Sequence, residues 1–257
     1  MSYLNRGWRL VATGLLFIIF GSGGWLLSTI WFNLLTLVIK DEKRRNRLTQ
    51  DSIKVSFKFF LKMAVLLRAL DYQVINREYL KEDEGAIIVA NHPTLLDYVL
   101  LASFMPRCDC IVKQSLLDNF FMRGVIKAAG YIPNTDSEEL LLHCQQKLQE
   151  EGMILIFPEG TRTNVDGKIT LQRGAANIAL RCNADIRVIC INCNEILLNK
   201  QRKWYHIPLR KPVFTITVRN KLKVKGSYDQ EHVSLPLAAR QLTNQLTICF
   251  ESNLEKK

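Results

Sequence analysis

Between Leu10 and Ile39 the chain has no ionisable side chain at all, a gap of 30 residues. Between Lys200 and Lys225 it has no acidic residue, while nine lysines and arginines fall there. Cysteine is sparse and unpaired in pattern: seven residues, an odd number, are scattered over 257. A chain of that length buries enough core to do without disulfide staples, so a reducing compartment is the simpler reading. There is no internal repeat, no low-complexity tract, and too little glycine and proline for a collagen-like chain (13 and 7). With 48% hydrophobic and 23% charged residues, the composition excludes a disordered chain. Lys plus Arg exceeds Asp plus Glu, 35 against 24, a net charge of +11. That surplus calls for an anionic partner: nucleic acid, an anionic membrane face or a phosphorylated ligand.

The uncharged run is flanked by Arg6 and Arg9 on one side and by Lys40, Lys43, Arg44, Arg45 and Arg47 on the other. As one helix it would be roughly 45 Å long, beyond the ~30 Å of a bilayer's hydrocarbon core. Gly21-Ser22-Gly23-Gly24 is a poor helical sequence, which divides the run into Leu10–Phe20 and Trp25–Ile39, each too short to span. Basic flanks at both ends favour the cytoplasmic side, so a re-entrant or interfacial hairpin is expected. A single tilted span is the close alternative, and a cleaved signal peptide a third. From Asp51 to Asp71, Ile53, Phe57, Phe60, Leu61, Ala64 and Leu67 make a helical apolar stripe beside Lys54, Lys58 and Lys62. Such a helix fits either a domain core or an anionic membrane surface.

From Tyr72 onward strand and helix signals alternate. Ala86–Ala90, Ile111–Val112, Met153–Phe157, Ile186–Asn192 and Phe214–Val218 read as strands. About Leu95–Ser103, Met122–Ala129, Glu138–Glu150, Ala175–Cys182 and Gln230–Asn253 read as helices. The expected fold is α/β: a central, largely parallel or mixed sheet covered by helices. It follows an N-terminal membrane-embedded helical segment. The organisation is 1–71 for the membrane-associated helices and 72–257 for the soluble domain.

Two strand exits carry chemistry. The first reads Asn91-His92-Pro93-Thr94-Leu95-Leu96-Asp97. Ligands of open α/β sheets bind at the carboxyl ends of strands, and an aspartate five residues on can fix the tautomer of His92. Alone, the pair also fits a capping histidine and a solvated aspartate. The second exit reads Phe157-Pro158-Glu159-Gly160-Thr161-Arg162, where glycine admits close backbone approach and arginine grips phosphate with two hydrogen bonds. Alone, it also fits a polar turn. Cys108-x-Cys110 and Cys190-x2-Cys193 are set aside as zinc ligands, because Cys190 and Cys193 fall on or near a buried strand.

Together, His-x4-Asp and Phe-Pro-Glu-Gly-Thr-Arg about sixty residues later resemble the glycerolipid (lysophospholipid, 1-acylglycerol-3-phosphate) acyltransferase family, over roughly Ala86 to Asn192. The resemblance implies a membrane-associated O-acyltransferase. It would move a fatty acyl group from acyl-CoA or acyl carrier protein to a hydroxyl of a lysophospholipid-type acceptor, lysophosphatidic acid by default. It implies His92 as general base and Asp97 as its orienter. It implies Glu159, Gly160, Thr161 and Arg162 as acceptor-binding residues, and Lys113 at a position where family members commonly have lysine. No metal and no cofactor beyond the donor are implied. The expected partners are a lipid bilayer, a lipid acceptor and the thioester donor, with no nucleic acid, at the cytoplasmic face of a membrane (the inner one in a bacterium). Two segments depart from the family pattern. Gly130-Tyr131-Ile132-Pro133-Asn134-Thr135-Asp136 lacks the family's arginine, and Arg187-Val188-Ile189-Cys190-Ile191 lacks its proline. The first departure leaves open a less phosphorylated, unusual lipid or polyene acceptor. A non-catalytic lipid-binding protein on the same fold is the rival of another class.

Overall fold

The computed structural model describes residues 2–118, 120–134, 137–164, 169–226 and 233–254. Thr135, Asp136 and Gln230 lie outside them. The first element is one long helix: α1 (Ser2–Leu26) passes through a wide π-helical segment at Leu27–Trp31 into α2 (Phe32–Val38). The expected break at Gly21–Gly24 does not occur. Glycine lowers helix propensity by only about 1 kcal/mol per residue and forbids nothing, and Ser22 Oγ bonds back to Ile18 O at 2.7 Å within the same helix. The irregularity comes five residues later. There Ser28 and Thr29 hydroxyls both reach the Trp25 carbonyl (3.1 and 2.6 Å), and side-chain bonds of this kind disturb the regular ladder.

The chain turns at Ile39–Asp41. Asp41 caps α3 (Glu42–Leu66) through its Oδ1 and the Arg44 amide at 2.6 Å. The amphipathic helix therefore begins nine residues before Asp51. Its first turns, Glu42–Arg47, are charged at every position but Asn46 and carry no apolar period to read. Trp8 Nε1 donates to Leu67 O, and Trp31 Nε1 to Ser52 Oγ (2.8 and 2.9 Å), so the long helix lies along α3. The hairpin expected within the apolar run, with its bend at Gly21–Gly24, is therefore not formed: both halves belong to one helix, and the chain reverses only after it, at Ile39–Asp41.

The sheet contains β1 (Asp71–Ile75), β2 (Ile87–Ala90), β3 (Cys108–Lys113), β4 (Ile132–Asn134), β5 (Met153–Ile156), β6 (Ile186–Cys193) and β7 (Val213–Leu222) in the order β1-β7-β6-β2-β5-β3-β4. All neighbours are parallel except β6 and β7. The helices are α4 (Asp97–Phe104), α5 (Phe120–Ala129), α6 (Ser137–Gln149), α7 (Gly174–Arg181) and α8 (Leu235–Leu254). Strand alternation sorts the core into two layers. Ile88, Ala90 and Leu155 pack with the N-terminal helices, α3, α4 and α5; Ile87, Val89, Ile154 and Ile156 pack with α6, α7 and α8. Both faces are covered, so the central strands read as continuous apolar runs. Ala12, Leu16, Phe32 and Leu35 of the long helix share the first layer with the sheet.

Candidate active site

β2 lies between β6 and β5, and all three are parallel where they pair. Parallel neighbours release their chains at the same edge, so the segments after β2 and β5 meet. His92 leaves β2 and Glu159 leaves β5. Asn91, which the sequence reading did not single out, fixes the exit: its amide donates to Ile191 O and accepts from Ile191 N–H (2.8 and 2.7 Å), continuing the β2–β6 pairing past the strand end.

Asp97 opens α4 and is fully buried. Its Oδ2 accepts from His92 Nδ1 (2.8 Å) and the Thr94 amide (2.7 Å), and its Oδ1 accepts from the Thr94 hydroxyl (2.7 Å). Burial raises the Asp97 pKa, opposed by the bonds to His92 and Thr94. With a carboxylate on Nδ1, that nitrogen carries the proton and Nε2 is left as a base. The His92 ring stacks on Phe157 with centroids 4.4 Å apart, and its side chain is 22% exposed. The expectation that Asp97 reaches back to the imidazole is therefore met in geometry. Buried acceptors for three donors explain why the aspartate sits there despite its desolvation.

The second motif is divided. Gly160 is exposed at φ +66°, a conformation that a Cβ disfavours, and it turns the chain at the site's mouth. Thr161 beside it is exposed. Glu159 is buried and faces inward: one oxygen, Oε1, accepts from the His92 amide (2.8 Å) and the Thr163 hydroxyl (2.9 Å). Its pKa is raised by burial, against the opposing bonds from His92 and Thr163. Arg162 is half-buried, and its Nη1 donates to Leu198 O and Asn199 O (3.0 and 2.9 Å). Leu198 takes a left-handed φ of 47° and also accepts the Leu95 amide at 3.1 Å. A branched residue there is strained, and the two bonds on its carbonyl hold it. Lys113 ends β3, which is parallel to β5, and is exposed on the same edge of the sheet. Phe157 stood in the motif without a role and Thr163 was not singled out, since an aromatic and a threonine at the ends of a polar turn look like packing until the ring and the amide are placed.

Beside this edge lies an apolar cavity of about 90 Å³. Leu95 and Leu96 of the first motif line it, with Leu16, Phe17, Leu198 and Trp204. Trp204 lies over Gly14 (3.6 Å from where a Cβ would stand) and packs on Phe17 with centroids 5.7 Å apart. Arg9 Nη2 donates to Pro208 O and Leu209 O (2.8 and 2.7 Å), tying the basic 200–212 segment to the long helix.

Fold and site thus define an α/β domain with an oriented histidine and a charged turn at the carboxyl edge of its sheet, beside an apolar cleft. Residues 71–194, from the first residue of β1 to just past β6, match the family model described as Acyltransferase. Through that segment the chain is similar to the acyltransferase family. It is 33% identical over 133 residues to the 1-acyl-sn-glycerol-3-phosphate acyltransferase of Helicobacter pylori, covering 48% of this chain and 56% of that one. It is 33% identical over 125 residues to the enzyme of the same name from Bacillus subtilis, covering 46% and 61%. The chain spans about half the length of the curated relatives it matches. The crystal structure of PlsC, the 1-acyl-sn-glycerophosphate (LPA) acyltransferase of Thermotoga maritima, shares the fold with a TM-score of 0.68. That likeness covers 97% of this chain and 98% of that one at 18% identity.

Proposed function

We propose that the protein transfers a fatty acyl group from a thioester, acyl-CoA or acyl carrier protein, to a hydroxyl of a lysophospholipid-type acceptor, with lysophosphatidic acid the first choice. The observation that carries this reading is Asp97 held by three hydrogen bonds on His92 Nδ1, with Nε2 making no hydrogen bond among the described residues. His92 Nε2 takes the proton of the acceptor hydroxyl. The oxygen attacks the thioester carbonyl, the C–S bond breaks, and the proton passes from His92 to the leaving thiolate. The proposal calls on no metal or cofactor. Lys113, Gly160, Thr161 and Arg162 line the edge where an anionic headgroup would sit, and the cleft at Leu95 and Leu96 offers hydrocarbon a dry wall. A second reading, an acceptor with less phosphate, is favoured by the Arg162 bonds to Leu198 and Asn199, which already use one terminal nitrogen of the guanidinium.

The same reading puts the chain on a membrane. The long helix, Tyr3–Val38, has only 11% of its most apolar window buried, and Val11, Ile18 and Leu37 are 64%, 68% and 80% exposed. Its bonds to the domain at Trp8, Arg9 and Trp31 keep it alongside α3, which favours lying in the interface over crossing it. Exposed Lys203, Trp204, Tyr205 and Arg210 stand next to it, suited to headgroups at the cytoplasmic face. The test is acyl transfer by the full chain in mixed vesicles, with both thioester donors and a panel of acceptors, read as product by mass spectrometry. Diacyl product from lysophosphatidic acid supports the first reading and product from a neutral acceptor alone the second. A folded protein that acylates none of them contradicts both.

A further inference from the structure

The proposed acceptor-binding turn has one member that faces the wrong way for that task. Glu159 is 8% exposed, and its Oε1 is engaged twice within the protein, by the His92 amide at 2.8 Å and the Thr163 hydroxyl at 2.9 Å. The Thr163 amide donates to the His92 carbonyl at 2.7 Å. The backbone of His92 is therefore gripped on both sides by the segment that follows β5, the amide by Glu159 and the carbonyl by Thr163, while Phe157 stacks on its ring. His92 lies one residue beyond the Asn91 anchor and outside the regular pairing of β2, so no sheet bond fixes it.

Resting on the acyl-transfer reading above, we propose that Glu159 is a positioning residue for His92 and makes no contact with the acceptor. It replaces the ladder hydrogen bond that β2 no longer supplies and sets where Nε2 points. A reacting group misplaced by ~1 Å loses on the order of 10²-fold in rate. Gly160, Thr161 and Arg162 then form the ligand-facing part of the turn, and Glu159 with Thr163 the inward part. The charged groups around His92 are Asp97 from α4, on its ring, and Glu159, on its backbone. Arg162 of the same segment is turned to Leu198 and Asn199.

The roles separate in the kinetics of the full chain. In E159A the His92 amide loses its partner, and kcat should fall ~10- to 100-fold while the acceptor KM stays within about threefold. E159Q keeps an oxygen at the same place and should recover most of that loss. It also removes a negative charge beside the imidazole, which destabilises the protonated ring. The acid limb of the kcat/KM profile should therefore move to lower pH. A side chain with a merely structural role would not move that limb. An acceptor KM raised tenfold with kcat kept, in either variant, would overturn the proposal and return Glu159 to the acceptor. H92A is measured alongside. If it is inactive while the Glu159 variants change only KM, this inference fails and the acyl-transfer reading stands; if H92A turns over normally, that reading itself fails.

Discussion

At the scale of single residues, Asp97 sets the terms of the site. Three donors converge on a carboxylate with no exposure, and burial still pushes its pKa up. The folded state then binds the proton more readily than the unfolded state. Stability contributed by this group is lost as pH rises from the ordinary carboxylate value near ~4 through the raised folded value. Asp97→Asn removes that dependence. Its carbonyl can accept the His92 and Thr94 N–H groups, and its amide can donate to the Thr94 hydroxyl. Thermal unfolding followed between pH 4 and 8 should show the variant gaining on the parent as pH rises. Transfer should fall by ~10²–10⁴-fold, because a neutral amide does not balance the charge of the imidazolium that forms as the proton is taken. A variant that loses stability relative to the parent as pH rises would contradict the burial argument. His92 and Asp97 were legible in the sequence because they sit five residues apart across one strand exit. The inward turn of Glu159 was not, since its partner is a backbone amide 67 positions upstream and no spacing rule names that atom.

Among the elements, legibility followed depth. The interior strands β2, β5 and β6 are buried at almost every position and read as unbroken apolar runs. The two strands absent from the sequence reading, β1 and β4, are the edges of the sheet. β4 is three residues long and carries Pro133, which edge strands tolerate and central ones do not. The glycine cluster in α1 misled for a related reason: propensity is a weak prior where helix continues on both sides. β6 carries the segment that lacks the family's proline, and its Arg187 holds a buried ion pair. Arg187 is 4% exposed, pairs with buried Asp83 through Nε and Nη2 (both 2.6 Å), and donates to Tyr79 O and Arg219 O (3.0 and 2.9 Å). Arg187→Ala would leave Asp83 buried with Lys221 at 3.0 Å as its remaining cation. A loss of about 3 kcal/mol is expected in denaturant unfolding, at the low end for breaking a buried pair because Lys221 stays. The site lies at the opposite ends of the strands, so activity per folded molecule should be kept. A loss below ~1 kcal/mol would show the pair to be solvated.

The whole molecule joins a chemical edge to an apolar flank. The long helix is at once a wall of the cleft, through Leu16 and Phe17, and the largest exposed apolar surface. Residues 1–71 were read as a membrane-associated unit; the structure places Ala12, Leu16, Phe32 and Leu35 in the same core layer as the sheet. Cutting the chain at Asp51 would split α3 and open that layer, so membrane docking is better probed by side chains that face away. Val11→Asp, Ile18→Asp and Leu37→Asp together should abolish flotation with zwitterionic vesicles while leaving the melting temperature within a few degrees. Neutralising Lys200, Lys203 and Arg210 should instead remove only the salt-sensitive, anionic-lipid-dependent part. Unchanged flotation of the triple aspartate variant would contradict docking through this face.

The central claim is that His92 is the base that activates an acceptor hydroxyl. The most direct measurement is the initial rate of acyl transfer by His92→Ala and parent chain in the same vesicles, with circular dichroism and thermal melting confirming that the variant is folded. The account predicts a fall of ~10²–10⁴-fold with vesicle binding unchanged. Turnover within a few fold of the parent, in a folded and membrane-bound variant, would contradict it.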